Sequence, residues 1–233
     1  MGESEKMFGG GLRSLIGYLI WACQVIPNGR PFVQSFIDRL KRAKNTENRV
    51  YLGAENREDA RWWMAVLLQW DGLYLFEEIE WMRPDITGLY TDASNWGGGA
   101  CFGRFYTFFP WREDTDLNTM TIQVREMFVV IVAILTFQRL WKRKWLIIKT
   151  DLQANIASVA HRACNNKWVH QLIRLFVSMQ VLGSFSIRLQ YINTHDNRWA
   201  DALSRGDPEV FVSEVSGSAF LPPVFPPDFP VIV

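Results

Sequence analysis

The sequence predicts an α/β fold, in which a mixed five-stranded sheet carries flanking helices and follows a small helical segment. Three observations support this prediction. The first 84 residues show helical spacing of apolar side chains, strand-like segments begin near residue 86, and helix-like and strand-like segments then alternate up to residue 204. With 233 residues, the chain is long enough for one mid-sized domain and a smaller appendage.

Residues 1–84 are predicted to contain three helices and no sheet. The first covers residues 11–26 and ends at a Pro-Asn-Gly turn signal. The second follows Pro31 and ends in a basic stretch, and the third begins near Glu55 or Glu58.

Residues 85–205 are predicted to form the sheet and its helices, with Gly97-Gly98-Gly99 as a turn. The strands cover residues 86–93, 100–109 (one or two strands), 145–150 and 186–192, and the helices cover residues 121–140, 152–160, 166–181 and 197–204. The helix over 121–140 is apolar almost all round, so it should be buried against the sheet. Residues 206–233 hold six prolines and no basic residue, and we interpret them as an extended or docked C-terminal tail.

The composition excludes several classes of protein. With 48% hydrophobic and 21% charged residues, the chain is neither disordered nor of low complexity. The longest apolar stretch, Met127 to Phe137, is too short to cross a bilayer, and Glu3 and Glu5 stand where a secretion signal would be basic. The three cysteines form no CxxC motif, which indicates free thiols and an intracellular location, in cytoplasm or nucleus.

The charge distribution points to a polyanionic partner. Residues 92–205 hold 14 Lys and Arg against 8 Asp and Glu, a net charge of +6, although the whole chain carries only +1. A basic surface of this kind is typical of nucleic-acid binding. A solvated basic face without a partner is the alternative.

Four acidic residues occupy positions where a fold would favour apolar side chains. Asp92 lies inside a predicted strand, Glu126 lies near the start of the most apolar helix, Asp151 ends a strand, and Asp201 lies in a short helix. A buried carboxylate needs a cationic partner or strong hydrogen bonds. Each also has an ordinary explanation: a first-turn acid for Glu126, a helix N-cap for Asp151, and a solvent-facing position for Asp201.

Divalent cations would explain the gathering of these acids. Magnesium prefers hard oxygen ligands, and a pair of such ions clamps the attacking and leaving oxygens when a nucleophile displaces a group at phosphorus. An acidic centre beside a basic surface is what a metal-dependent nuclease requires.

The ordered motifs around these acids resemble those of ribonuclease H domains. They are Tyr90-Thr91-Asp92-Ala93-Ser94 with the glycines 97–99, Arg125-Glu126-Met127, Lys149-Thr150-Asp151, and Asn197 to Arg205. The Ala-Asp-Ala-Leu-Ser-Arg ending is similar to that of long-terminal-repeat and DIRS-type retrotransposon polyproteins. Residues 12–17 and 26–32 look like the segment that joins a reverse transcriptase palm to its ribonuclease H, the thumb or connection, and no YxDD-type polymerase motif is present.

This resemblance implies an endonuclease that cuts the RNA strand of an RNA–DNA hybrid, as the C-terminal part of a retroelement reverse transcriptase. Asp92, Glu126, Asp151 and Asp201 would be the catalytic residues and would hold two Mg²⁺ ions, with Mn²⁺ as a substitute. Water would attack the phosphorus and a 3′-hydroxyl would leave. Contacts with 2′-hydroxyls would distinguish RNA from DNA.

Further residues are predicted to contact nucleic acid. Lys142, Arg143 and Lys144 would grip phosphates, Trp96 would stack on bases or sugars, and Asn197 belongs to the same predicted surface. His195 would help product leave, and Leu152 replaces an Asn that often follows the third acid. The alternatives are an ordinary helix end for the basic run, core packing for Trp96 and a loop position for His195.

Three other functions are compatible with the sequence. A domesticated, non-catalytic module would keep the fold and bind nucleic acid or protein. A resolvase- or integrase-like nuclease would also gather acids. Zinc at His161, Cys164 and His170 is the third, although the spacing is irregular and lacks a fourth ligand.

Overall fold

The computed structural model describes residues 6–43, 49–69, 88–111, 120–141, 145–183 and 185–226. The chain divides into two compact units, Met1–Glu78 and Ile79–Val233. Within the described part of the chain, no helix combines the length and the apolar character needed to cross a membrane.

The first unit contains the three predicted helices and, in addition, a small sheet. The helices are α1 (Gly9–Ala22), α2 (Gln34–Arg42) and α3 (Ala54–Gln69), with a 3₁₀ turn at Pro27–Phe32. Strand β1 (Lys6–Phe8) pairs antiparallel with β2 (Arg49–Tyr51), so the prediction that this segment has no sheet is wrong. Strands of three residues are too short to show an alternating pattern.

One tryptophan organises the core of this unit. Trp63 is buried, and its indole nitrogen donates a 3.2 Å hydrogen bond to the carbonyl oxygen of Phe32. Leu12 and Phe36 are among the other apolar residues buried in this unit.

The second unit has a mixed sheet with helices on its faces, which confirms the predicted fold class. Its strands are β3 (Leu89–Ala93), β4 (Gly97–Phe102), β5 (Phe105–Pro110), β6 (Trp145–Thr150), β7 (Ser186–Tyr191) and β8 (Ala219–Phe220), and its helices are α4 (Ile122–Phe137), α5 (Gln153–His161), α6 (Lys167–Gly183), α7 (Arg198–Ser204) and α8 (Glu209–Glu214). The strand order is β7-β6-β3-β4-β5-β8. β3, β4 and β5 are antiparallel neighbours, whereas β6 is parallel to β3 and β7 is parallel to β6.

The glycine run 97–99 is part of strand β4 and not the predicted turn. A side chain at Gly98 would meet Val129 of α4 at 2.5 Å, and one at Gly99 would meet the carbonyl carbon of Leu203 in α7 at 2.6 Å. Because neighbouring strand residues face opposite sides, α4 and α7 pack on opposite faces of the sheet. The glycines therefore allow both helices to lie close against β4.

Helix α4 forms the centre of the core on its face of the sheet. All but four of its 16 residues are buried, as its apolar sequence predicts. Its N-terminal half passes over the carboxyl end of β3 and brings Glu126 to that end.

The C-terminal tail adds a sixth strand that the sequence did not predict. β8 pairs in parallel with the edge strand β5, and the backbone nitrogen of Val224 donates to the Thr136 hydroxyl of α4 at 3.0 Å. The ring of Phe225 then lies 5.1 Å from that of Phe109. The described part of the tail is thus docked on the domain, and α8 precedes the docked strand.

Candidate metal centre

Three of the predicted acids meet at the carboxyl ends of the two central parallel strands. Asp92 lies in β3, Asp151 directly follows β6, and Glu126 lies in the second turn of α4. Each offers one ligand oxygen, and these three oxygens lie within 4.8 Å of one another. We call these residues the acid cluster. Parallel neighbours end at the same edge of a sheet, which is why residues so distant in sequence meet there.

Burial raises the affinity of the acid cluster for protons. Asp92 is 5% exposed and Glu126 is 3% exposed. Burial raises the pKa of Asp92 to about 6, with further contributions from Asp151 and Asp201, while the hydrogen bond from Ser204 opposes the rise. Burial, and then the charge of Asp92, raises the pKa of Glu126 well above its usual value. The cluster therefore favours a bound positive charge, whether a proton or a metal ion.

Each carboxylate of the acid cluster accepts a hydrogen bond that orients it. The backbone nitrogen of Ala93 donates to Oε1 of Glu126 at 2.9 Å, and the Ser204 hydroxyl donates to Oδ2 of Asp92 at 2.6 Å. The Thr194 hydroxyl donates to Oδ2 of Asp151 at 2.8 Å. Oε2 of Glu126 is buried and accepts no hydrogen bond of ordinary geometry within the described residues, although the nearby Thr150 hydroxyl lowers the pKa of Glu126.

These observations fit a divalent cation of the hard type. All the available ligands are carboxylate oxygens, the set that Mg²⁺ and Mn²⁺ prefer. A buried acceptor without a donor is costly, and a cation bound between the acids would remove that cost at Oε2 of Glu126.

The ordinary explanations of Glu126 and Asp151 do not hold. Glu126 lies beyond the first turn of α4, so it is not a first-turn acid. The N-cap position of α5 is Leu152, and no side chain caps that helix. Neither helix capping nor the helix dipole therefore explains these two acids, and their membership of the acid cluster does.

Asp201 lies in the same pocket but outside the acid cluster. The pocket has a volume of about 240 Å³, and its lining includes the four predicted acids together with Ala93, Ile122, Leu152, Thr194 and Arg205. The guanidinium of Arg205 binds both oxygens of Asp201, with Nε–O distances of 3.1 Å and an Nη2–Oδ1 distance of 2.7 Å. Asp201 raises the pKa of Arg205 in turn.

Ser94 connects the β3–β4 turn to helix α7 beside the acid cluster. Its hydroxyl donates to the carbonyl oxygen of Ser204 at 2.6 Å and accepts a hydrogen bond from the backbone nitrogen of Trp96 at 2.9 Å. The turn that carries Trp96 is thereby fixed against the helix that carries Asp201.

The residues predicted to contact nucleic acid have different outcomes. Trp96 is 42% exposed at the turn, although its ring contacts that of Phe108, and His195 is exposed in the turn that precedes α7. Asn197 is 1% exposed and its amide donates to the carbonyl oxygen of Thr91 at 3.1 Å. The side chain of Asn197 is thus buried and bound to β3, and its predicted contact with nucleic acid stays a prediction. Lys142, Arg143 and Lys144 lie outside the described residues.

Three polar residues near the acids were missed in the sequence. Thr194, Ser204 and Arg205 all contact predicted acids, but nothing in the local pattern marks Thr194 or Ser204, whose partners are 43 and 112 residues away. The Asp201–Arg205 pair had a readable signal, since residues four apart are neighbours on a helix.

The predicted zinc alternative has no support in the described structure. Among the described residues, the group of potential ligands brought together is the acid cluster, and it includes none of His161, Cys164 and His170.

Comparisons with known proteins find similarity at the level of solved structures. No protein-family model matches the chain, and no curated protein matches it. Ribonuclease H1 from the halophilic archaeon Halobacterium salinarum NRC-1 is 15% identical, with a TM-score of 0.39, over 53% of this chain and 98% of the archaeal one. The prototype foamy virus protease-reverse transcriptase is 15% identical, with a TM-score of 0.32, over 82% of this chain and 25% of the viral one.

A foamy viral protease-reverse transcriptase in complex with dsDNA is also similar. It is 12% identical, with a TM-score of 0.31, over 78% of this chain and 39% of the viral one. The present chain therefore spans nearly the whole archaeal protein, but less than half of either viral polypeptide.

Proposed function

We propose that the second unit is a metal-dependent endonuclease that hydrolyses the RNA strand of RNA–DNA hybrids. In this proposal the chain is the C-terminal part of a retroelement reverse transcriptase, of the DIRS or long-terminal-repeat type. The observation that carries the proposal is the acid cluster, in which buried Oε2 of Glu126 accepts no hydrogen bond of ordinary geometry among the described residues.

The acids would hold Mg²⁺, with Mn²⁺ as a substitute. Asp92, Glu126 and Asp151 supply the ligand oxygens of the cluster, and Asp201 stands beside them in the same pocket. When bound, two such ions supply the charge that activates water and stabilises the phosphoryl oxygens during displacement.

The chain's own residues would place the substrate and orient the acids. Trp96, exposed beside the pocket, offers a ring on which a base or sugar can stack. Thr194 and Ser204 hold the carboxylates of Asp151 and Asp92 in place. The basic run 142–144 would bind phosphates, 2′-hydroxyl contacts would select RNA, and exposed His195 would assist product release.

Cleavage of a labelled hybrid tests the proposal. The full chain should cut the RNA strand with Mg²⁺ and lose this activity with EDTA. Asp92→Asn should reduce the rate at least about 100-fold, since charge stabilisation by metal ions is worth several kcal/mol. Asp207→Asn is the matched control, because Asp207 is exposed and lies outside the pocket. Equal rates for wild type and Asp92→Asn, or cleavage by neither, would sink the catalytic proposal.

The second candidate function is a non-catalytic module that binds nucleic acid or protein. The ion pair of Arg205 with Asp201 favours it, because a neutralised acid is a weaker metal ligand. Hybrid that is bound by the wild-type chain but left intact with Mg²⁺ and with Mn²⁺ would decide for this candidate.

Trp96→Ala tests the proposed stacking contact. We expect weaker hybrid binding, by about 1–3 kcal/mol for the loss of one stacked base, and an unchanged fold by circular dichroism. Trp21→Ala is the control, because Trp21 is exposed on α1 in the first unit. Unchanged affinity in folded Trp96→Ala protein would refute the contact.

A further inference from the structure

We propose that Arg205 is an internal counter-ion that competes with a second divalent cation for Asp201. In this inference, which rests on the proposed function, the pocket binds one cation readily and a second one only when the guanidinium leaves Asp201. Arg205 thereby sets the stoichiometry and affinity of metal binding.

Arg205 is bound closely to the carboxylate of Asp201. Its guanidinium makes three hydrogen bonds with the carboxylate of Asp201 and uses both oxygens of that group. These contacts occupy three of the roughly four lone-pair directions of the carboxylate, so a metal ion that uses any of those three has to displace the guanidinium. Arg205 also acts electrostatically on Asp92, whereas Oε2 of Glu126 in the acid cluster accepts no hydrogen bond of ordinary geometry among the described residues.

Asp201 lies beside the acid cluster. Asp201 lines the same pocket as the cluster, and its charge contributes to the raised pKa of Asp92. Asp201 and the acid cluster therefore border one cavity, although Asp201 is outside the set of ligand oxygens that lie within 4.8 Å of one another. With Arg205 in place, the negative charge that a second cation requires is already compensated.

The exposure of the two side chains indicates how the pair opens. The side chain of Arg205 is 63% exposed, whereas that of Asp201 is 29% exposed. Arg205 follows the last residue of α7, so its long side chain can turn towards solvent while Asp201 stays on the helix. An exposed ion pair contributes little to stability, which makes exchange of the guanidinium for a dication feasible.

Counting Mn²⁺ on the metal-free full chain tests this inference. Electron paramagnetic resonance and calorimetry would follow wild type, Arg205→Gln, Asp201→Asn, the double variant and Arg198→Gln. We expect one tight Mn²⁺ in wild type and a weaker second one, which Arg205→Gln tightens by about 5-fold, the upper range for an exposed ion pair. Arg198→Gln is the matched control. Arg198 lies in α7, the helix that Arg205 follows, but it pairs with Glu214 of α8 and not with Asp201.

The double variant separates competition from a general effect of charge. If Arg205 competes mainly through Asp201, the gain from Arg205→Gln is much smaller in the Asp201→Asn background, where only the charge of Arg205 on Asp92 is removed. An equal gain with and without Asp201, no gain in either, or two equally tight ions in wild type would overturn the inference. If wild type and Arg205→Gln each bind one tight Mn²⁺ and no second one, this inference alone is refuted. If no variant binds Mn²⁺, the proposed function is refuted as well.

Thermal unfolding gives a second readout that does not depend on activity. The stabilisation by Mn²⁺ should be larger for Arg205→Gln than for wild type, because at a given Mn²⁺ concentration a site of lower Kd stabilises the folded state more. Identical Mn²⁺-dependent shifts for these two proteins would contradict the competition.

Discussion

Asp92 occupies a position that is costly for the folded chain in the absence of a cation. Its carboxyl group is buried at the end of β3, between Glu126 on one side and the Ser204 hydroxyl on the other. A residue in this position reduces stability unless a proton or metal ion compensates its charge. The same burial that makes Asp92 costly makes it an effective ligand.

The pKa of Asp92 gives a prediction for stability against pH. Since its pKa is raised from 3.8 to about 6 in the folded state, the metal-free protein binds more protons folded than unfolded between these values. Its free energy of unfolding should therefore fall as pH rises from about 4 to about 6, by about 3 kcal/mol from this group, and stay level above. Asp92→Asn removes this loss.

Thermal unfolding in EDTA from pH 4 to pH 8 measures the effect. The advantage of Asp92→Asn over wild type should grow as pH rises through about 6, and grow further at higher pH because the variant also removes the charge that raises the pKa of Glu126, while Asp207→Asn should track wild type. A difference between Asp92→Asn and wild type that does not change with pH would refute the prediction.

Among the elements, strand β4 determines how closely the helices approach the sheet. Asp92 is the register partner of Gly99, and α7 lies directly over that glycine. This close approach is what allows the Ser204 hydroxyl to reach Asp92. The absent side chain of Gly99 thus has a direct role in the geometry of the pocket.

Gly99→Ala should disturb both stability and metal binding. The added methyl group would lie 2.6 Å from the backbone of Leu203, so α7 must move away, at a cost of about 1–3 kcal/mol. We expect a lower melting temperature and weaker Mn²⁺ binding. Gly17→Ala is the control, because open space surrounds that position in helix α1 and alanine there should be neutral or stabilising. Equal melting temperatures for Gly99→Ala and wild type would contradict the prediction.

The elements also show what the sequence could predict. The strand over 145–150 and the helices over 152–160 and 166–181 agree with the structure to within two residues, because their apolar runs are long and periodic. The sequence predicts a turn at glycines 97–99 because glycine favours turns as well as close packing, and only the opposing helix distinguishes the two.

Long-range polar contacts were beyond the reach of local patterns. The acids could be proposed as a group because each is unusual where it stands, whereas a threonine or serine near a loop or a helix end is ordinary. Thr194 therefore carried no signal, and the buried position of Asn197 could not be distinguished from an exposed one. The pairing of β1 with β2 also depends on contacts between distant residues, which the sequence alone does not reveal.

For the second unit as a whole, the tail completes the sheet and covers part of its surface. β8 hydrogen-bonds to β5, which would otherwise be an edge strand, and the ring of Phe225 packs on those of Phe109 and Phe128. An uncovered edge strand exposes unpaired backbone groups and favours association with other chains. The tail is therefore a structural part of this unit.

Removing residues 219–233 should destabilise the chain and promote self-association. The comparison is a chain that ends at Pro226, which keeps every described contact of the tail. We expect a lower urea midpoint for the shorter chain, since it loses the β8 pairing and the Phe225 contacts, and faster-sedimenting species in the ultracentrifuge. Identical midpoints and sedimentation for the two truncated chains would refute this role of the tail.

The hydroxyl of Ser94 has a consequence for how the domain could respond to a substrate. Because one oxygen atom joins the turn that bears Trp96 to the last turn of α7, we expect a displacement of that turn to reach the backbone next to Asp201 and Arg205. If a nucleic acid stacks on Trp96, as proposed, it would then change the competition between the Arg205 guanidinium and a metal ion for Asp201. Substrate binding at Trp96 would in that way be coupled to the availability of Asp201 as a metal ligand.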